Sequence, residues 1–136
     1  MKIIKSNILS RHSEIIHGVS TMAGGNEPFY NNMSKHVGDD IIQVMKNRAV
    51  YFGSLGIDEN HCAHANQVHS GNVTVISSPG LYKQTDALVT KTKGLFLIIS
   101  VADCLPVMLY DKPNGVIANV HSGWRGTAAG IALNTI

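Results

Sequence analysis

The chain has 136 residues, 44% of them hydrophobic, and carries a formal charge of +2 from 11 basic and 9 acidic side chains. That length and apolar content are enough for one globular domain with its own core. The near balance of charge, with no Lys/Arg run beyond a pair, excludes the electrostatic footprint of a nucleic-acid binder, and only two cysteines exclude a disulfide scaffold.

The opening Met1-Lys2-Ile3-Ile4-Lys5-Ser6-Asn7 is too polar for a secretory signal, and the longest apolar stretch, residues 95–110, is interrupted by Asp103 and Pro106. A soluble cytoplasmic protein with no membrane partner is the expectation. After a short strand-like opening, His17-Gly18-Val19-Ser20-Thr21 and Gly24-Gly25 read as a polar loop. Its glycines allow close approach to a ligand because they lack Cβ, although the spacing is not that of a nucleotide P-loop. Residues 39–55 carry apolar side chains at helical spacing, including Ile41, Ile42, Val44, Met45, Phe52 and Leu55. Asp39 or Asp40 serves as cap and Gly56 as stop. Arg48 lies inside this helix, offset from the apolar stripe.

Beyond Gly56 the segments become short, β-branched and bounded by turn residues, which predicts strands over 61–68, 72–77, 87–90, 95–102, 106–110 and 116–120. Ser78-Pro79-Gly80 and Lys112-Pro113-Asn114-Gly115 read as turns. The last strand runs through a tight turn at Gly123 into a helix over 124–133. The predicted class is α/β, a mixed sheet with flanking helices in a three-layer α/β/α-like arrangement. Ile136 falls about three turns into that last helix. This leads to the expectation that residues 1–136 form a single domain that is the N-terminal portion of a longer metal-dependent enzyme domain.

Three residues stand where predicted strands give way to loops: His69 after Gln67-Val68, Cys104 after Ala102-Asp103, and His121 after Asn119-Val120. Two imidazoles and one thiolate suit Zn²⁺ in tetrahedral geometry, and three protein ligands leave a fourth position for water or substrate. Their separations match no local metal motif. On residues alone, Cys104 as a small buried hydrophobe beside two hydrogen-bonded strand-end histidines is the favoured reading.

Asp103 is a candidate carboxylate for orienting a metal-bound histidine, with a loop-capping role as the alternative. Arg125, on the first turn of the last helix, and Arg48 are candidates for holding phosphate. Trp124 suits either stacking on an aromatic substrate or a core position. His12, His36, His61 and His64 show no partner pattern, and Cys62 reads as buried apolar filler.

Six blocks occur in order: His17-Gly18-Val19-Ser20-Thr21; Val37-Gly38-Asp39-Asp40 followed by Asn47-Arg48; Asn66-Gln67-Val68-His69-Ser70; Thr85-Asp86-Ala87-Leu88-Val89-Thr90; Ala102-Asp103-Cys104-Leu105-Pro106-Val107; and His121-Ser122-Gly123-Trp124-Arg125-Gly126-Thr127. Together they resemble the family once called multicopper polyphenol oxidases or laccases, also known as the peptidoglycan editing factor or purine nucleoside phosphorylase family. The resemblance runs from residue 17 to the end. It implies that His69, Cys104 and His121 are zinc ligands. It also implies phosphorolysis of adenosine, inosine and methylthioadenosine to base and sugar 1-phosphate, with adenosine deamination as a companion reaction. Purine nucleoside and phosphate are then the partners.

Copper-dependent phenol oxidation is the family's older assignment. A multicopper oxidase needs several clustered ligand groups, whereas seven histidines and two cysteines yield one triad here. A single His₂Cys set also resembles a blue-copper site, which keeps copper as the alternative ion. A third reading makes the chain a metal-binding fragment that self-associates as a homo-oligomer over an exposed sheet edge.

Overall fold

The computed structural model describes residues 1–35 and 37–136, so the reading of His36 lies outside the described residues. These residues form two compact units, Met1–Asp58 and Glu59–Ile136. No described helix is long and apolar enough to cross a membrane.

In the first unit, β1 (Ile3–Ile4) pairs antiparallel with β2 (Val19–Ser20), so part of the segment read as a loop is a strand. Gly18 permits that pairing, since a Cβ there would stand 2.7 Å from Ile3 Cγ2. His17 is tied to the opening turn, its Nε2 accepting the Ser6 N–H at 2.9 Å. Helix α1 (Ile41–Leu55) starts where its caps dictate: the Asp40 carboxylate accepts the Ile42 N–H at 2.9 Å, and Gly56 ends the helix in the left-handed region at φ 68°. The buried stripe is Val44, Asn47, Arg48, Tyr51 and Phe52, while Ile41, Ile42, Met45 and Val50 are exposed. Two polar residues occupy buried positions because backbone carbonyls receive them. Asn47 Nδ2 donates to Asn32 O, and Arg48 donates to Met33 O while lying over the Phe52 ring.

The second unit is built on two sheets. A three-stranded parallel sheet has the order β5 (Gly80–Lys83), β3 (Cys62–Asn66), β7 (Phe96–Ile98). A four-stranded mixed sheet has the order β4 (Val73–Val75), β6 (Ala87–Thr90), β9 (Val116–Ser122), β8 (Leu105–Asp111). Strand β5 is the one the turn reading of Ser78-Pro79-Gly80 hides, because Gly80 opens the strand instead of closing a turn. The Lys112–Gly115 turn forms as expected, with the Gly115 N–H reaching Lys112 O and Gly115 at φ 64°.

Alternation along β6 sends successive side chains to opposite faces. Leu88 joins Ala63, Ile76, Leu95 and Leu97 on one face; Ala87 joins Val120 and Ile131 on the other. The mixed sheet therefore lies between the parallel sheet and helix α3 (Ile131–Thr135). The class is mixed α/β, and the expected three-layer α/β/α arrangement is realised in this unit as α/β/β. The last helix is not continuous: α2 spans Trp124–Ala128, Gly130 takes the left-handed region at φ 73°, and α3 restarts the turn.

Leu88 has no exposed surface and holds the cluster between the two sheets. Leu88→Ala should destabilise the second unit by about 2–5 kcal/mol, as measured by urea unfolding.

Candidate metal centre

Strand register builds the centre. Ala87 pairs with Val120 and Pro106 pairs with His121. The first pairing sets Asp86 beside His121, whose N–H donates to Asp86 O at 2.7 Å. The second sets Cys104, the residue before β8, beside Gly123. Cys104 therefore leads into a strand; the apolar strand expected to end near it is only Phe96–Ile98. His69 comes from the loop after β3 and adopts φ 59°, in the left-handed region that non-glycine residues seldom occupy.

The ligand atoms of His69, Cys104 and His121 lie within 4.8 Å of one another, the single such group among the described residues. The two imidazoles meet edge to face, with centroids 4.7 Å apart and planes at 86°. His121 is buried, Cys104 half-buried and His69 exposed, so the group has a closed side and an open side. Gly123 keeps its interior clear. A Cβ at Gly123 would stand 3.0 Å from His69 Cδ2, 3.1 Å from Cys104 Sγ and 3.6 Å from His121 Cε1. Gly123 has φ −73° and ψ 167°, a conformation any residue adopts, so here glycine serves space and not backbone freedom. Two nitrogens and one sulfur around a cradle that a methyl group would fill fit a tetrahedral ion with one open position.

A buried carboxylate, assigned no role by its sequence position, braces the group. Asp86 has no exposed surface. Its Oδ1 accepts the His69 N–H at 2.9 Å and bonds His121 Nδ1 at 2.8 Å. Its Oδ2 accepts the N–H groups of Val68 at 3.2 Å and Ser70 at 2.8 Å, and the Ser70 hydroxyl at 2.8 Å. Burial alone would raise the Asp86 pKa. The hydrogen bonds from the Ser70 backbone, His121, the Ser70 hydroxyl and the Val68 backbone together outweigh it and hold the carboxyl below its ordinary value. Gln67 adds a second brace, donating to Ser100 O at 2.8 Å and accepting the Ser100 N–H at 2.7 Å. That pair joins the His69 loop to the segment leading to Cys104.

Asp103 is exposed and accepts the Cys104 thiol at 3.7 Å; the carboxylate bonded to a histidine of the triad is Asp86. Partial burial and then the Asp103 charge push the Cys104 thiol pKa up. Arg125 is exposed, with its guanidinium over the Trp124 ring at 5.1 Å, and Trp124 is itself 75% exposed. Arg48 belongs to the first unit, bonded as described. His12 lies 3.9 Å from Glu14, His61 is exposed, His64 is half-buried in β3, and Cys62 is buried as expected. The sequence signals for these two residues are weak: Asp86 is an acid directly before an apolar strand, and Gly123, two residues after a ligand, reads as the glycine of a tight turn.

Two outcomes follow from these contacts. Gly123→Ala should leave a folded protein whose Zn²⁺ or Co²⁺ uptake, followed by cobalt absorption spectra, is strongly reduced. A folded Asp86 pKa held down contributes stability that is present above the unfolded value of about 3.9 and is lost as pH falls through the folded value. The stability gap between wild type and Asp86→Asn should therefore narrow as urea unfolding is repeated from pH 6 down to pH 3.

Residues 16–136 match the family described as multi-copper polyphenol oxidoreductase laccase. A purine nucleoside phosphorylase of Corynebacterium glutamicum is 42% identical over 124 residues, covering 86% of this chain and 50% of the relative. A protein named adenosine deaminase RL5, from an unknown prokaryotic organism, is 34% identical over 111 residues, covering 74% of this chain and 42% of the relative. Among solved structures, YlmD from Geobacillus stearothermophilus is similar with a TM-score of 0.80 at 32% identity, covering 85% of this chain and 47% of that one. The hypothetical protein YfiH of Bacillus licheniformis gives 0.78 at 33% identity, covering 85% of this chain and 48% of that one. The chain spans about half the length of the curated relatives it matches. With the match extending over residues 16–136, the chain belongs to the multi-copper polyphenol oxidoreductase laccase family, whose curated relatives here include proteins named purine nucleoside phosphorylase and adenosine deaminase.

Proposed function

We propose that His69, Cys104 and His121 hold a zinc ion and that the centre serves purine nucleoside phosphorolysis, converting adenosine, inosine or methylthioadenosine to base and sugar 1-phosphate, with adenosine deamination as a companion activity. The observation that carries this reading is the convergence of the three ligand atoms within 4.8 Å around the cradle left by Gly123. The names of the relatives support the reaction class. Bound zinc would supply Lewis-acid polarisation and an activated water near neutral pH.

The chain's own groups divide the remaining work. Asp86 accepts the His121 Nδ1 proton and leaves Nε2 free to ligate. Asp103 holds the Cys104 thiol only in the metal-free chain, since a ligating sulfur has lost the proton of that contact. Arg125, exposed two residues after Gly123, offers phosphate a guanidinium. Trp124 gives the purine an aromatic surface beside the centre. Phosphate would enter with its charge matched by arginine, and the exposed side of His69 leaves the centre open to it.

Copper-dependent phenol oxidation is the second reading, favoured by the His₂Cys set itself, which also suits a single copper. A third is metal binding at the triad without catalysis.

The decisive assay is phosphate-dependent release of hypoxanthine from inosine by the 136-residue chain and by a form extended to the relatives' length. Wild type should carry about one zinc per chain, and Cys104→Ala should lose both metal and hypoxanthine release. A variant that loses metal yet keeps full activity rules out the zinc role. Phenol oxidation that appears only on adding copper favours the second reading, and metal uptake without turnover in either length favours the third.

A further inference from the structure

The acidic group nearest the triad's buried side is saturated in a way that the strand it precedes does not require. Five donors converge on Asp86: the N–H groups of Val68, His69 and Ser70, the Ser70 hydroxyl, and His121 Nδ1. A carboxylate offers about four lone-pair positions, and only its ionised form accepts from every direction. Three consecutive N–H groups turned to one point make the concave nest in which a backbone binds an anion. Here that anion is a side chain of the same molecule, fully buried.

We propose that Asp86 is the positioning residue of the metal centre, fixing the Nδ1–H tautomer of His121 and folding the 68–70 backbone so that both imidazoles are aimed before an ion arrives. An ionised carboxylate has no proton to give, so the hydrogen on the 2.8 Å contact belongs to His121 Nδ1. Nε2 is then left with its lone pair, the form a metal requires. The second histidine is set through its backbone. His69 sits at φ 59°, a costly conformation for a non-glycine residue, and its own N–H is held by Oδ1 at 2.9 Å. The same oxygen thus bonds the side chain of one ligand and the main chain of the other, which couples their positions. Cys104 receives no bond from Asp86 and joins the centre from the segment braced by Gln67 and Ser100. This inference rests on the triad being a metal centre and not on the reaction it serves.

The test begins with metal-free protein, where ¹⁵N–¹H correlation spectra read the His121 tautomer directly. The proton is expected on Nδ1 in wild type, with a shift of population towards Nε2–H in Asp86→Asn. A wild-type proton on Nε2 overturns the proposal, whether or not the variant folds. Zn²⁺ titration supplies the second arm: Asp86→Asn should bind about 10–100-fold more weakly than wild type. Thr85→Val is the control for fold damage, because Thr85 is equally buried and its hydroxyl bonds Asn72 O, Ala87 O and Thr74 without touching the triad. It should lower thermal stability and keep wild-type affinity. Equal losses of affinity in the two variants, or none in Asp86→Asn, overturn the proposal. If wild type binds no zinc, the metal-centre reading fails and the proposal falls with it.

Discussion

A buried negative charge is costly unless donors surround it, and once they do, everything that supplies a donor is fixed in place. Asp86 imposes this constraint on the second unit. The loop after β3 and the end of β9 supply its shell while Asp86 itself leads into β6, so the two sheets that share the Leu88 cluster are also joined at one end by a polar knot. Packing supplies the strength of that junction and the carboxylate supplies its geometry. The division explains how an exposed histidine in a disfavoured backbone conformation can be placed as firmly as a buried one.

The remaining features of the centre are matters of space and access. Gly123 removes a side chain from the point where three ligand atoms meet, and Gly126 does the same one turn on, where a Cβ would come within 2.8 Å of Ser70 O. Helix α2 can therefore sit directly against the His69 loop. Asn134 completes the arrangement by donating to Gly71 O at 3.0 Å, so α3 is tied to the same loop. A centre closed by backbone contacts on one side and open at His69 on the other suits a site that admits a small molecule while resisting collapse.

Much of this was legible in the residues. The helix read over 39–55 announced itself through an aspartate cap, its apolar spacing and Gly56, and the strands 87–90 and 116–120 through β-branched runs, with β9 running on to Ser122. The ligands were legible as residue types at strand ends, although their meeting was not, because it depends on register between strands far apart in sequence. The same reason hid Asp86, whose importance lies in which backbone folds around it. Propensity misled at Gly80, where the proline-glycine turn signal lies next to a parallel strand that β3 recruits, and at Gly130, where a helical pattern conceals a left-handed break. The apolar spacing of α1 was also incomplete as a guide to burial, since Asn47 and Arg48 take inner positions by satisfying carbonyls of residues 32 and 33.

The hairpin of β8 and β9 carries two of the three ligand positions at its open end and the Lys112–Gly115 turn at the other. Changes in the length or composition of that turn leave the centre untouched as long as the ladder keeps its pairing. A single residue gained or lost within β8 would instead carry Cys104 away from Gly123, and one within β9 would turn His121 to the opposite face. The turn is thus a permissive position for inserting a fluorophore or an affinity tag, while the strands beside it tolerate no change in count.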